Sequence, residues 1–548
     1  MTNSNGADTR WNHWSTKTLP VWMQAVSLFF SAVVSGALIG WAWREEPWGW
    51  CGVTGIALFL WAQSNILNMK WLAAHAYVTG TVSFAIACPW ISGTVGYLAE
   101  TSPTISLWIA IGFQSFQSAG LLLFSVSWRL LRRQGHVDWI MAPFLWVGLE
   151  QWVPTLFPWP PAVMLTSDLP MLQVAEFGGV HLVSLLVLAC ATIQAWGANA
   201  CCNYFLHGRW NWAEFASWTV VLIGILTIRY FGTVRISELD RVIRESTQPS
   251  LRIGLVQVDT QFVDSNQRMI EVTREMQGQI DLAIWPESSL GNYSRQLSDF
   301  TDPTEVYRLS YGDHMRFTPF PDPNCFLLAG ADTWDSDRED STPTRHFVSA
   351  VLIDQDEQLV GRNEKVRLMP YGEYIPGEEY IPWLRQLIGS ERIITRGDMA
   401  KPIGEVNGFY LGVMLCCEDM HSDYVREVAA SGVDILVTLG NGMAFDAELP
   451  LRQHFRISLL RAIEHRRYFL RCTSTGVSGL ISPTGRVLIE LPAREDSATV
   501  VSIPRVSPQI GTTPFTRHGW LWSWYVPVLL VMFYFRWHSR SKDSCKTT

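Results

Sequence analysis

Apolar residues crowd into the first 235 positions of the chain and into a short stretch near its end. Seven apolar stretches precede residue 235, near positions 20–43, 47–64, 71–93, 106–127, 138–154, 171–196 and 213–233. About 20 mostly apolar residues cross the hydrocarbon core of a bilayer, so each stretch predicts a membrane-spanning helix. A buried core helix would leave the same signal in the short second and fifth stretches. With a further stretch from Trp520 to Phe535, the pattern predicts about eight transmembrane helices.

Basic residues in the short loops predict the orientation of these helices, because loops rich in Lys and Arg stay in the cytoplasm. One basic cluster follows the fourth stretch and another follows the last: Arg129, Arg132 and Arg133, then Arg536, Arg540, Lys542 and Lys546. If both clusters lie inside the cell, an odd number of crossings separates the N-terminus, also inside, from residues 235–517. That block is therefore expected outside the cytoplasmic membrane.

The pattern changes between residues 250 and 505, where short β-rich runs alternate with helical stretches, as in an α/β domain. Five runs read as strands and one longer stretch as a helix: 251–258, 281–285, 326–330, 411–415 and 434–438, and the helix 451–468. We therefore expect an N-terminal membrane domain of about seven transmembrane helices at 1–234 and an extracytoplasmic catalytic domain at 235–510. A C-terminal transmembrane helix with a cytoplasmic tail is expected at 511–548.

Charge and cysteine spacing narrow the range of partners. The formal net charge is −8 and no basic stripe is present, which argues against nucleic acid, since nothing would neutralise its phosphates. The ten cysteines are scattered, with no CxxC pair and no His cluster at ligand spacing. Neither a metal site nor a disulfide framework is indicated, and no cofactor is expected. A lipid bilayer is the partner surface that the composition favours.

Three reactive side chains follow strand-like runs, where open α/β sheets present their sites. Glu287 follows a buried run, Lys365 opens a loop dense in charge, Pro and Gly, and Cys416 follows the run 411–415. A thiol, a carboxylate and an ammonium suffice for acyl transfer. The carboxylate takes the thiol proton, the thiolate attacks a carbonyl, and the ammonium stabilises the oxyanion.

Each of these residues also has an ordinary structural interpretation. A cysteine after an apolar strand is more often an inert core thiol. Glu287 alone could cap the next turn, and Lys365 alone would usually be a solvated loop charge. Their occurrence in the order Glu, Lys, Cys within one α/β domain is what favours a catalytic site.

The local frames of these residues resemble the motifs of the nitrilase superfamily of carbon–nitrogen hydrolases, and the whole chain resembles its apolipoprotein N-acyltransferases. Residues 285–288 match W-P-E-S, residues 365–376 are similar to K-x-x-L-V-P-[FY]-G-E-[FY]-[IV]-P, and residues 412–419 are similar to G-x-x-I-C-Y-E-[DN]. The resemblance implies Glu287 as base, Lys365 as oxyanion partner and Cys416 as nucleophile. It also implies two supporting carboxylates, Glu373 and Glu418.

The same resemblance implies an αββα sandwich joined to a polytopic helical membrane bundle. It implies a multi-pass protein of the bacterial inner membrane with its catalytic domain on the extracytoplasmic side. The acyl donor would be a phospholipid and the acceptor a diacylated lipoprotein, with a thioester on Cys416 between them. A monomer is expected.

Departures from the family motifs keep other interpretations open. Cys417 replaces the usual aromatic residue, residues 441–445 stand for N-D-A-W-F, and Ser474 stands for Asn. Because Cys416 and Cys417 are adjacent, the choice of nucleophile depends on the spacing from Gly412, which favours Cys416. One alternative is a membrane-anchored amidohydrolase in which water takes the acyl group. Another is a divergent, non-catalytic paralogue that binds lipoproteins.

Overall fold

The structure of this protein is a computed structural model. It describes residues 20–44, 48–98, 102–132, 136–153, 158–207, 212–245, 249–259, 265–290, 292–294, 325–335, 345–356, 358–370, 372–375, 377–381, 383, 394–398, 400–445, 447–506, 510–522, 524–525 and 528. Residues 529–535 of the predicted C-terminal membrane helix lie outside these ranges.

All seven apolar stretches that precede residue 235 fold as helices. With their intervening short helices they are α1 Val21–Arg44, α2 Gly49–Asn65, α3 Met69–Ala87, α4 Ile91–Leu98, α5 Pro103–Leu131, α6 His136–Trp152, α7 Leu169–Leu172, α8 Ala175–His207 and α9 Trp212–Arg244. Apolar side chains such as Phe29, Leu107 and Val220 point outward and are more than half exposed, as expected of helices whose surroundings are lipid.

Fewer of these helices have the length and apolarity of a full membrane crossing than the sequence pattern predicts. Among the described residues, three qualify: Val21–Arg44, Pro103–Leu131 and Ala175–Cys202. A fourth span is added if Met69–Ala87 and Ile91–Tyr97, which meet at 65°, are counted together. The second and fifth predicted segments form helices of 17 residues each, α2 and α6, which is short for a crossing.

The strands among the described residues between 250 and 504 form two β-sheets. The strands are β1 Ser250–Gln257, β2 Leu282–Ile284, β3 Asn292–Ser294, β4 Phe326–Asp335, β5 Arg345–Ile353, β6 Leu359–Glu364, β7 Gly404–Val406, β8 Phe409–Leu415, β9 Ile435–Gly440, β10 Tyr468–Thr473, β11 Gly479–Ile481, β12 Val487–Glu490 and β13 Ser497–Pro504. The first sheet has the order β13-β1-β2-β4-β5-β6, with β3 beside β4, and the second has the order β12-β11-β10-β9-β8-β7.

The two sheets pack face to face between layers of helix. Central strands such as β9 and β10 are buried throughout and have no exposed face, because both faces of each sheet are covered. The outer face of the first sheet packs on α10 Ser265–Glu275, and that of the second on α11 Ser422–Ala430 and α12 Glu448–His465. The result is the α-β-β-α sandwich that the sequence predicted.

The five predicted strands are observed within a few residues of their predicted ends, but the predicted helix 451–468 is too long at its C-terminus. Helix α12 ends at His465, where Arg466 takes a left-handed conformation with φ of 50°. Two residues later Tyr468 begins β10. The buried side chain of Arg466 makes hydrogen bonds to the helical half of the molecule, and these contacts stabilise a turn that local sequence does not signal.

The helical half and the sandwich share one apolar core. Residues of α12, including Ile457, Leu460 and Ile463, belong to the same buried cluster as α1, α2 and α8. The Gln453 side chain adds polar contacts, since its Nε2 donates to the carbonyl oxygens of Trp43 at 3.2 Å and Ala87 at 2.8 Å. Helix α12 therefore packs on the second sheet with one face and on the membrane-type helices with the other.

Candidate active site

The structure brings the three predicted reactive residues to one edge of the sandwich. Glu287 lies just beyond β2, Lys365 directly follows β6, and Cys416 directly follows β8. The Lys365 side chain is 2 % exposed, and its Nζ donates to Glu287 Oε1 at 3.2 Å and to Glu373 Oε1 at 2.7 Å. An ammonium group is thus held between two carboxylates inside the protein, where its charge is fully compensated.

The position of Glu287 depends on a close contact between two chain segments. A Cβ on Gly330 would lie 2.4 Å from the Glu287 Cα, so only glycine fits in β4 at this point. The Gly330 N–H donates to the Pro286 carbonyl at 3.1 Å. Ser288 then takes a φ of 59°, which turns the chain out of the strand. These contacts fix the carboxylate at the strand end.

The cysteine pair resolves into two different environments. Cys416 has a φ of 50°, a left-handed conformation that is rare outside glycine, and begins a 3₁₀ turn that runs to Met420. Its side chain is partly exposed, whereas Cys417 is buried and its sulfur lies 3.8 Å from the Arg367 carbonyl oxygen. The geometry favours Cys416 as the residue that meets a substrate.

The two further carboxylates of the site hold loops in place. Glu418 Oε1 accepts the backbone N–H groups of Val366 at 2.6 Å and Arg367 at 2.9 Å, and its Oε2 accepts that of Leu415 at 2.8 Å. Glu418 thereby ties the turn that carries Cys416 to the loop that carries Lys365. Glu373 contacts Lys365 and also accepts the Met369 N–H at 2.8 Å, which closes the same loop on itself.

Electrostatics bring the proton affinities of the carboxylate and the thiol closer together. A hydrogen bond with Cys417 and, against the effect of burial, the charge of Lys365 hold the pKa of Cys416 well below its usual range. Burial raises the pKa of Glu287 well above its usual range, although Lys365 opposes this shift. The two shifts make it easier for the Cys416 thiol proton to pass to the Glu287 carboxylate.

A network next to the turn was not assigned a role from the sequence. Asp419 accepts hydrogen bonds from His454 Nε2 at 2.5 Å and from Arg471 at 2.6 Å. Arg471 also contacts His454 Nδ1 at 2.9 Å, and because a guanidinium can only donate, Nδ1 must be the acceptor. The two contacts assign Nε2 of His454 as the donor to Asp419 and Nδ1 as the acceptor from Arg471. Only the folded structure reveals this network, because its members come from three separate segments of the chain.

Ser474, one of the departures from the family motifs, contacts the altered segment 441–445. The Ser474 hydroxyl donates to the Asn441 side-chain oxygen at 2.9 Å, and Asn441 also accepts the Met443 N–H at 3.0 Å. Nearby, Phe445 packs edge-on against Trp90 of the helical half, with ring centroids 5.2 Å apart. The altered segment 441–445 thus lies at the junction between the two halves.

The site adjoins the apolar core of the membrane-type helices. Cys417 and Met420, on the turn that Cys416 begins, belong to the same buried cluster as α1, α2, α5 and α8. Met369 and Phe445 pack against this cluster from neighbouring loops. Within the described ranges, no group of three or more His, Cys, Asp or Glu residues could hold a metal ion.

Two family models match the chain. Residues 35–193 match the apolipoprotein N-acyltransferase N-terminal domain, and residues 252–511 match the carbon–nitrogen hydrolase family. The two matches fall on the helical half and on the sandwich, respectively. The nitrilase-type domain that the sequence predicted is thereby confirmed, because the sandwich described above is the part that the second model matches.

Curated relatives match over most of their length. An apolipoprotein N-acyltransferase of Vibrio cholerae is 25% identical over 82% of this chain and 86% of its own, and one of Bdellovibrio bacteriovorus is 24% identical over 91% and 92%. Among solved structures, an amidase from Nesterenkonia sp. is 16% identical with a TM-score of 0.31, covering 46% of this chain and 90% of the amidase. Nit3 of Saccharomyces cerevisiae is 14% identical with a TM-score of 0.33, covering 48% and 92%.

Proposed function

Because this chain belongs to the apolipoprotein N-acyltransferase family within the carbon–nitrogen hydrolases, we propose that it acylates the N-terminal amine of diacylglyceryl-cysteine lipoproteins. The acyl group comes from a phospholipid and passes through a thioester on Cys416. Glu287 is the general base, Lys365 the oxyanion partner, and Glu373 and Glu418 are positioning residues. The observation that carries this proposal is the contact between Lys365 and Glu287, together with the sharp turn at the strand end that presents Cys416.

The first half-reaction forms the thioester. The Cys416 thiol proton passes to Glu287, and the thiolate attacks the ester carbonyl of the phospholipid. The ammonium of Lys365 stabilises the oxyanion of the tetrahedral intermediate. When the intermediate collapses, the carbon–oxygen bond breaks, and the departing glycerol oxygen receives the proton that Glu287 took from Cys416. A lysophospholipid leaves, and the acyl group stays on Cys416.

The second half-reaction transfers the acyl group. The neutral amine of the lipoprotein attacks the thioester carbonyl, and Glu287 takes a proton from the attacking nitrogen. Lys365 again faces the oxyanion. The carbon–sulfur bond then breaks, an amide remains on the lipoprotein, and the departing Cys416 sulfur regains its proton from Glu287. Each residue ends the cycle in its starting state.

The apolar surroundings of the cysteine turn support lipid substrates rather than small soluble amides. Cys417 and Met420 are continuous with the core of the membrane-type helices. Both substrates carry chains that stay in the bilayer while their reacting groups lie at its surface, so a site beside such helices brings them together at high effective concentration. A soluble amide would gain nothing from this placement.

The topology belongs to the same proposal. Residues 1–234 form a membrane domain of about seven transmembrane helices, 235–510 the catalytic domain, and 511–548 a last transmembrane helix with a cytoplasmic tail. The chain is a monomer in the bacterial inner membrane, and its catalytic domain faces away from the cytoplasm. The helices formed by all seven apolar stretches of the first half, and the basic residues in the loops, support this arrangement.

Intact mass spectrometry after incubation with phospholipid vesicles tests the reaction. We expect a fatty-acyl adduct on the wild-type protein and on Cys417→Ser, and none on Cys416→Ser. A synthetic diacylglyceryl-cysteine peptide should discharge the adduct and gain the same mass. Cys417→Ser is the matched control, because it removes a neighbouring thiol and leaves the assigned nucleophile.

Two results would contradict the proposal. An adduct that disappears only in Cys417→Ser would assign the wrong cysteine. Discharge of the adduct by water at the same rate with and without the peptide would identify a hydrolase instead of a transferase.

A further inference from the structure

The chain contains two pairs of adjacent cysteines, Cys201–Cys202 and Cys416–Cys417. The first pair lies within helix α8, where successive side chains point about 100° apart around the helix axis and so diverge. The second pair follows β8, where the left-handed φ of 50° at Cys416 opens the 3₁₀ turn. On this turn the two sulfur atoms are hydrogen-bonded to each other. Of the two pairs, the second is therefore the one whose thiols are placed to react together.

The two thiols of this pair differ in access and in acidity. Cys416 is partly exposed, whereas Cys417 is buried. Their mutual hydrogen bond lowers the pKa of Cys416 and raises the pKa of Cys417, so Cys416 is the more easily deprotonated. An accessible, acidic thiol is the kind that peroxides oxidise, and a second thiol in contact with it can capture the oxidised sulfur.

We propose that a peroxide oxidises Cys416 and that Cys417 captures the oxidised sulfur as a Cys416–Cys417 disulfide, which reversibly stops acyl transfer and protects the nucleophile from irreversible oxidation. The buried thiol is thus a resolving group for the exposed one. Cys417 replaces an aromatic residue of the family motif, so this protection is a property of this chain that the shared catalytic residues do not provide.

The first step oxidises the nucleophile. The thiol proton of Cys416 passes to Glu287, and the thiolate attacks one oxygen of the peroxide. An S–O bond forms, the O–O bond breaks, and the departing oxygen takes the proton from Glu287 and leaves as an alcohol or as water. The sulfur has given up two electrons to the peroxide and is a sulfenic acid.

The second step forms the disulfide. The Cys417 sulfur attacks the sulfenic sulfur of Cys416, an S–S bond forms and the S–O bond breaks. The hydroxyl group leaves with the Cys417 proton as water. Without Cys417 the sulfenic acid stays available to a second peroxide, which oxidises it to a sulfinic acid that ordinary thiols do not reduce.

The geometry of neighbouring residues makes this disulfide easy to reduce. Consecutive Cα atoms are about 3.8 Å apart across a trans peptide, whereas disulfides usually join Cα atoms about 4.4–6.8 Å apart. A bond across the shorter distance is strained, and strained disulfides are the readily reduced ones. A thiol reductant attacks it to give a mixed disulfide, and a second thiol releases both cysteines.

Peptide mapping of the full-length protein after hydrogen peroxide treatment tests the disulfide. After blocking with iodoacetamide, the wild-type peptide that contains Cys416 and Cys417 should carry no alkyl group and weigh about 2 Da less than its reduced, unblocked form. Dithiothreitol before blocking should restore two alkylated cysteines. A wild-type peptide that contains only sulfinic acid, or that stays fully alkylated after peroxide has oxidised other thiols, would overturn the proposal.

Cys417→Ser tests the protective role. Its peptide should gain about 32 Da as sulfinic acid on Cys416, a product that dithiothreitol does not reverse. The rate of Cys416 acylation, relative to each protein's own rate before peroxide, should recover after dithiothreitol at least about tenfold more completely in wild type than in Cys417→Ser. Cys202→Ser, in the pair on α8, is the matched control and should recover like wild type. Equal recovery of wild type and Cys417→Ser would show that Cys417 protects nothing.

The mapping needs no lipid, so it separates this proposal from the acyl transfer. A disulfide between Cys416 and Cys417 in a protein that forms no acyl adduct would contradict the proposed function and leave the redox pair standing. An acyl adduct in a protein that forms no such disulfide would do the reverse.

Discussion

Two buried clusters of charged side chains have opposite arrangements of charge. The catalytic cluster, Glu287, Lys365 and Glu373, places one ammonium between two carboxylates. The junction cluster, Glu176, Arg235 and Arg466, places one carboxylate between two guanidiniums, with contacts of 3.1 Å to Arg235 and 2.9 Å to Arg466. In both clusters the central group is nearly inaccessible to water.

The clusters differ in what can titrate. A guanidinium stays charged under all ordinary conditions, so the two arginines of the junction cluster keep their charge and hold α8, α9 and the end of α12 together. In the catalytic cluster, burial raises the pKa of Glu287 well above its usual range, which makes this carboxylate able to take and return a proton. In the junction cluster, buried charges hold the two halves together. In the catalytic cluster, burial changes the proton affinity of Glu287.

The largest expected effect comes from removing the central cation of the catalytic cluster. Lys365→Met should lower the rate of Cys416 acylation by about 10³-fold, the cost of losing an oxyanion donor. Rapid-quench mass spectrometry of the adduct measures it. Lys401→Met, at an exposed lysine, is the control and should act like wild type. Retention of a rate within tenfold of wild type by Lys365→Met would remove Lys365 from the mechanism.

Breaking the junction cluster should affect stability instead. Arg466→Met leaves Glu176 with one cation and removes the donors to Gln173 and the Pro483 carbonyl, at an expected loss of about 3–5 kcal/mol in the free energy of unfolding. Thermal unfolding in detergent measures this loss. The control is Arg486→Met, which breaks the ion pair between Arg486 and Asp240. The Arg486 side chain is 53 % exposed, so this change should alter the free energy of unfolding by about 0–1 kcal/mol. Equal losses in both variants would show that burial of the pair is irrelevant.

Glu418 gives a smaller effect that depends on pH. Burial raises the pKa of Glu418 to about 7, although three backbone N–H groups oppose the shift. Its folded pKa exceeds its unfolded pKa, so its contribution to stability is present below the unfolded value and is lost as pH rises through about 7. Glu418→Gln cannot titrate and keeps only part of the hydrogen bonds, so we expect it to be less stable by about 1–3 kcal/mol.

The advantage of wild type over Glu418→Gln should be greater at pH 5 than at pH 8. Denaturant unfolding of both proteins across this range checks the prediction. A difference that is constant with pH, or that grows as pH rises, would contradict the direction of the Glu418 shift.

The smallest effect concerns the thiol itself. A hydrogen bond with Cys417 and the charge of Lys365 lower the pKa of Cys416, so alkylation by iodoacetamide should continue at pH values where an ordinary thiol is protonated. Cys417→Ala and Lys365→Met should each move the midpoint of the alkylation profile to higher pH. Mass-mapped labelling rates provide the measurement, with the buried Cys472 as the internal reference. An unchanged midpoint in both variants would show that neither Cys417 nor Lys365 lowers the pKa of Cys416.

Much of the candidate site was readable because its residues follow strand ends. Glu287, Lys365 and Cys416 each follow a strand, and the packing of the two sheets brings these three strand ends to one edge of the sandwich. The Asp419–His454–Arg471 network was not readable, because its members come from a turn, a helix and a strand that become neighbours only when α12 packs on the second sheet. No spacing along the chain encodes that contact.

The sequence by itself determined the helical first half, the sandwich and the three reactive residues, because hydrophobic periodicity and strand-end motifs are local properties. Tertiary structure alone decided where α12 ends, since Arg466 turns the chain to reach Glu176 and Gln173 almost 300 positions earlier. It also decided which cysteine is partly exposed and which carboxylates face Lys365. These properties depend on burial and on contacts between distant segments, and folding creates both.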